Sequence, residues 1–228
     1  MPEWCRAVGV FDLETTGVEV ASDRIVTAHV GLLDADGSPV RSDSWFADPG
    51  IDIPAGATAV HGITTERAQR EGRPAAEVVA EVVAALSALF DAGIPVVAYN
   101  APFDFSMLKH EALRHGVAPI LLPAPVIDPL VIDKRYDRYR RGKRTLSVVA
   151  AHYAVELAAA HEAAADAIAA GRVAQILAAR YADGMPVTAA ELHTRQVGWA
   201  RAQADSLSEY FVSIGRLDAD VDGSWPIR

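Results

Sequence analysis

Apolar and polar positions in the first fifty residues fall into short strand-like runs. Ala7 to Leu13 is almost continuously apolar and short, as a central strand is. Ile25 to Leu33 and Val40 to Phe46 read as two more strands. They flank Asp34-Ala35-Asp36-Gly37, whose Asp-Gly pair is a hairpin signal. Asp48 to Thr64 is rich in Pro and Gly and reads as loop. From Pro74 to Asp91, Val78, Val82, Val83, Leu86, Leu89 and Phe90 recur at helical spacing, with Gly93 as the stop. Pro95 to Tyr99 and Ala124 to Ile127 read as short buried strands. Phe103 to His115 reads as a helix, with Pro102 in its first turn and Gly116 at its end. Further helices are expected over Leu146–His152, Ala163–Tyr181 and Thr188–Ile214. In the last of these, Val197, Trp199, Ala200, Leu207, Tyr210, Phe211 and Ile214 make one apolar face. The alanine-rich stretch Ala154–Ala170 keeps charged landmarks and reads as helix.

A three-strand meander followed by helices interleaved with two strands predicts an α/β fold: a mixed five-stranded sheet flanked by helices. Residues 1–182 would form that domain and residues 183–228 a C-terminal helical extension, within a 228-residue length that suits one domain plus an extension.

The chain is 51% hydrophobic and 22% charged, which fits a packed globule. Apolar runs are broken well short of a membrane span, so no membrane helix is expected. Cys5 is the single cysteine and suits a reducing cytoplasm. The net charge of −9 argues against a nucleic-acid coat protein, yet a metal site built from carboxylates would itself contribute negative charge. Against that background, Lys134 to Arg144 holds seven basic residues in eleven, with Tyr136 and Tyr139. That segment suits a phosphate backbone with bases stacked on the tyrosines; the alternative is a solvated linker.

The chemistry concentrates at four acids and a histidine. Asp12 and Glu14 alternate with Leu13, so both point to one face of the first strand near its end. Two carboxylates there repel, and a hard divalent cation relieves the repulsion. Asp104 stands where a strand passes into a helix, a place where open sheets hold ligands, although an acid in a first helical turn is also favoured by the macrodipole. His161 and Asp166 are five residues apart, about 140° around a regular helix. They can share a face only if His161 lies in the loop before the helix.

These contexts carry a resemblance. Phe11-Asp12-Leu13-Glu14-Thr15-Thr16-Gly17, Asn100-Ala101-Pro102-Phe103-Asp104 and His161-(four residues)-Asp166 resemble the three exonuclease motifs of the DEDDh 3′–5′ exonucleases, the DnaQ-like branch of the ribonuclease H-like fold. This family includes the proofreading epsilon subunit of bacterial DNA polymerase III, and the resemblance covers roughly residues 6 to 182. It implies two divalent cations, Mg or Mn, held by Asp12, Glu14, Asp104 and Asp166, with His161 as general base. Val60-His61-Gly62-Ile63-Thr64 is similar to the family's loop beside the terminal nucleotide. Thr15, His61, Asn100 and Phe103 are then expected substrate contacts. The expected substrate is the 3′ end of single-stranded nucleic acid, DNA ahead of RNA. An RNA-trimming enzyme, or an accessory subunit docking a DNA polymerase or sliding clamp through residues 183–228, is the alternative. Oligomeric state is not legible.

Overall fold

The computed structural model describes residues 2–157, 161–216 and 221–228. Residues 158–160 lie outside it; in the rest of the alanine-rich stretch expected to be helical, helix begins only at Ala163, with Ala154 and His161 at positive φ before it. The sheet has six strands in the order β4-β3-β2-β1-β5-β6: β1 Ala7–Thr15, β2 Ile25–Asp34, β3 Pro39–Asp48, β4 Arg73–Pro74, β5 Val96–Val97 and β6 Val126–Ile127. The meander β1–β2–β3 is antiparallel, and β5 and β6 add in parallel beside β1. The strand beyond the expected five is β4, two residues that pair in parallel with the last two of β3 at the sheet edge.

Two apolar layers cover the sheet. Phe11 and Leu13 of β1 face one, built on α3 (Ala75–Asp91) and α4 (Ala101–Arg114). Val8 and Val10 face the other, with α6 (Leu146–His152) and α7 (Ala163–Arg180). Asp12 and Glu14 continue the Val8–Val10 row by strand alternation, so they emerge on the α7 side of the sheet. Helix α7 lies very close to that sheet because Gly171 has no side chain. A Cβ there would meet Val10 Cγ1 at 2.5 Å and Leu33 Cδ1 at 2.6 Å, both in fully buried residues.

The segment expected to be loop contains α1 (Ala55–His61), and it is followed by α2 (Thr65–Glu71). Helix α1 buries no residue and so leaves no apolar stripe to read, while Gly62, at φ 74°, ends it. Thr64 caps α2 by accepting from Arg67 N at 3.2 Å. Helix α5 (Pro129–Tyr136) was also not legible; Asp128 caps it by accepting from Leu130 N at 2.9 Å. Its last turn is the start of the basic segment.

Helix α8 (Ala189–Ser213) packs back on the domain through Leu192, Gln196, Trp199 and Ala204. Gln196 reads the β6 backbone, donating to Val126 O at 3.0 Å and accepting from Asp128 N at 2.7 Å. Of the apolar face expected along the helix, Trp199, Ala200 and Phe211 are half-buried. Val197, Leu207, Tyr210 and Ile214 are exposed. Residues 221–228 return to the core, where Trp225 is buried and Arg228 N donates to Ser106 Oγ at 2.9 Å. Among the described residues, no helix is long and apolar enough to cross a membrane.

Candidate active site

Three elements deliver the four acids to one cleft. Asp12 and Glu14 come from the end of β1. Asp104 comes from the first turn of α4 and is buried; its Oδ1 accepts from Leu13 N at 3.2 Å, directly between the two β1 acids. Asp166 stands in the first turn of α7. His161 lies outside that helix in the left-handed region, at φ 68°, so the angular objection to pairing it with Asp166 does not apply. Its backbone N–H donates to Asp166 Oδ2 at 3.2 Å. Donor atoms of Glu14, His161 and Asp166 all lie within 4.8 Å of one another.

The electrostatics show how strained this cluster is as bare protein. Asp12 is held well above the usual carboxylate range, first by burial and then by Asp104, Asp166 and Glu14. Burial pushes Glu14 up to about 7, with Asp166 adding to it. Burial also raises Asp104 well above its ordinary value, outweighing the backbone donors that favour its charge, and raises Asp166. Asp166 Oδ1 is buried and has no hydrogen-bond partner. A buried acceptor without a donor is costly, and four mutually repelling carboxylates ask for positive charge. The donor set, carboxylate oxygens with one imidazole, fits hard divalent cations.

Of the four expected substrate contacts, His61 lines the cleft beside Glu14 and His161, Thr15 follows Glu14 at the end of β1, and Asn100 and Phe103 stand at the head of α4 with Asp104. Thr15 is buried and its hydroxyl donates to Gly17 O at 2.6 Å. His61 is the last residue of α1 rather than part of a loop, and its Nδ1 accepts from Ile63 N at 3.2 Å. Its ring lies by the Thr15 main chain and near His161, and its Nε2 is buried without a partner. Burial is the main cause of its lowered pKa. Together with Glu14, His161, Trp45 and Phe46 it lines a cleft of 440 Å³. Asn100 is exposed at the head of α4, and Phe103 is half-buried against the core.

Asn100 sits at φ 64°, ψ 47°, a conformation Asn tolerates better than most residues. Asp128 holds it there. This fully buried carboxylate accepts from Asn100 N and Ala101 N, each at 3.0 Å, and from Trp225 Nε1 at 3.4 Å. Asp128 thereby anchors the start of the helix that carries Asp104. Sequence reading missed it because its partners lie 28 and 97 residues away; its one local signal is the N-cap of α5. The basic segment also reads differently in three dimensions. Arg140 and Arg144 both pair with the buried Asp133, to which Tyr153 Oη donates at 2.8 Å. Two of the seven basic residues therefore bind the protein itself.

Comparison with known proteins bears on the family and the fold. Residues 10–174 match the RNase T model, described as exonuclease. The chain is 32% identical over 158 residues to the PolC-type DNA polymerase III of Clostridium perfringens, covering 69% of this chain and 10% of that one. It is 33% identical over 126 residues to a DNA polymerase III subunit epsilon-like protein of Rhodobacter capsulatus, covering 54% of this chain and 17% of that one. The fold superposes on E. coli exonuclease I bound to a dA16 oligonucleotide with a TM-score of 0.66 at 20% identity, covering 78% of this chain and 42% of the other. Exonuclease I of Methylocaldum szegediense gives 0.62 at 20% identity, over 90% and 46%. The chain thus spans a tenth of its PolC-type relative and less than half of either exonuclease I.

Proposed function

The chain belongs to the exonuclease family that matches it, and from that premise we propose that it is a metal-dependent 3′–5′ exonuclease of the DEDDh type. It removes nucleoside 5′-monophosphates from single-stranded 3′ ends. The observation that carries this reading is the carboxylate cluster: four acids raised in pKa, with an unpartnered Asp166 oxygen beside Glu14 and His161.

Asp12, Glu14, Asp104 and Asp166 would hold two cations, Mg or Mn. When bound, these supply Lewis acidity that acidifies water and offsets charge on the scissile phosphate and the departing 3′ oxygen. His161 accepts the proton of the attacking water; its position in a turn rather than in the helix gives the ring access to the cleft. The new bond joins the water oxygen to phosphorus, and the P–O3′ bond breaks. The products are a shortened strand with a 3′ hydroxyl and a 5′-monophosphate. His61, aimed by its Ile63 hydrogen bond, and Phe103 flank the terminal nucleotide, with Thr15 and Asn100 beside it.

DNA is favoured over RNA because the superposed exonuclease I is a DNA-bound protein. Service in proofreading or repair is supported by the polymerase relatives, and the single buried cysteine, Cys5, whose thiol burial pushes up to about 12, suits the cytoplasm. We keep residues 1–182 as the catalytic unit and 183–228 as its extension. The test is 5′-labelled DNA and RNA of matched sequence, with Mg or Mn, beside Asp12→Ala. A metal-dependent ladder shortening from the 3′ end, absent in the variant, supports the reading. An equal ladder from Asp12→Ala overturns the assigned site. A second reading, docking of a polymerase or clamp, draws on the exposed Leu207, Tyr210 and Ile214 of α8 and would appear as co-purification with such a partner.

A further inference from the structure

The C-terminal extension does more than cover the sheet. Between the end of α5 and the middle of α8 lies a groove of 520 Å³ separate from the catalytic cleft, lined by Lys134, Arg135, Arg138, Trp199, Gln203 and Leu207. Lys134, Arg135 and Arg138 are exposed, and none of them is paired with an acid among the described residues. Arg135 stacks 5.7 Å from the Trp199 ring. Gln203 is fixed by donating to Val131 O at 3.0 Å. Three cations without an acid partner, one of them over the Trp199 ring, in a chain of net charge −9, form a local site for a polyanion.

We infer that this groove binds the phosphate backbone of the single strand upstream of the 3′ end, making α8 part of the substrate track. The inference rests on the exonuclease reading and adds a second contact region to it. The groove and the active site share one framework. Asp128 caps α5 at one end and anchors the α4 start that carries Asp104. Arg144, at the groove wall, accepts through its carbonyl from Tyr99 Oη at 2.6 Å, one residue before Asn100. Helix α5 has eight residues, about 12 Å at 1.5 Å per residue, and runs from the Asp128 cap to the groove.

The same groove also fits an acidic protein tail, and the experiment separates the two. Binding of a 5′-fluorescein dT20 is measured by anisotropy in EDTA against salt, for wild type, Lys134→Gln/Arg138→Gln, and Arg41→Gln/Arg201→Gln. The last pair removes equal charge outside the groove, where those arginines pair with Asp43 and Asp205. The groove variant should bind at least about five-fold more weakly, with a salt slope shallower by about 1.4, two lost phosphate contacts at about 0.7 each. The control should stay within about two-fold of wild type. In parallel, wild-type KM should fall as oligonucleotides lengthen until they span the groove and then level off. Unchanged dT20 binding by the groove variant, equal weakening by the control, or KM independent of length would overturn the inference. Unchanged dT20 binding with lost affinity for a poly-glutamate peptide would assign the groove to protein. Because binding is read without metal, a chain that cleaves nothing would sink the exonuclease reading and leave this measurement intact.

Discussion

Raising the pH of metal-free protein should destabilise it through Glu14. Its folded pKa is about 7 against an ordinary 4.5, because burial and Asp166 penalise the charged form. A raised carboxylate favours the folded state below about pH 4.5, and that advantage disappears as pH climbs through 7. At about 1.4 kcal/mol per pH unit, the interval from pH 5 to 7 is worth about 2 to 3 kcal/mol, since Glu14 is only 9% exposed and little screened. Asp12, Asp104 and Asp166 shift the same way and deepen the loss. His29, His61 and His193 are lowered and act oppositely, costing stability as pH falls below 6.5. The comparison with Glu14→Gln cancels them. Urea unfolding in EDTA at pH 5 and 8 should show wild type losing about 2 kcal/mol more than the variant over that interval, and saturating Mn should restore wild type at pH 8. Parallel pH profiles for the two proteins, within about 0.5 kcal/mol, would refute the electrostatic account of the cluster.

Other substitutions probe the remaining links. His161→Ala should lower kcat by about 10²- to 10⁴-fold with Mn affinity nearly kept; an affinity loss as large as that of Asp166→Ala, read by calorimetry, would make the histidine a ligand instead. Asp128→Asn replaces a charged acceptor of backbone N–H groups and should cost about 2 to 4 kcal/mol while weakening Mn binding through Asp104; wild-type Mn affinity in a folded variant would detach Asp128 from the site. Gly171→Ala gains up to about 1 kcal/mol of helix propensity but overpacks by about 1 to 3 kcal/mol. Its melting temperature and kcat should therefore drop, and Val10→Ala should restore both; a Gly171→Ala protein more stable than wild type would contradict the packing.

Much of this architecture was legible because its signals are local. Strand alternation put Asp12 and Glu14 on one face, and apolar stripes marked α3, α4, α7 and α8 to within two residues. The conflict between His161 and Asp166 on one helix was itself informative, and the structure resolves it with a left-handed residue ahead of α7. Short helices escaped: α1 buries nothing, and α5 was hidden behind the basic run it begins. Long-range polar contacts escaped as well. Neither the hub at Asp128 nor the capture of Arg140 and Arg144 by Asp133 has a marker beyond ordinary acids in ordinary contexts.

The missing side chain at Gly171 also carries a message for divergence and engineering. Positions 10, 33 and 171 share one volume, filled by Val10 and Leu33 to within contact of the helix backbone. Asp166 rides on that helix little more than one turn away. Drift at any of the three therefore moves a carboxylate that none of them touches. Among descendants of this sequence, alanine at 171 should appear together with a smaller residue at 10 or 33, and rarely alone. A designer grafting the acid motifs onto another scaffold would inherit the requirement: the ligands transfer, but their spacing depends on an apolar gap in the layer beneath.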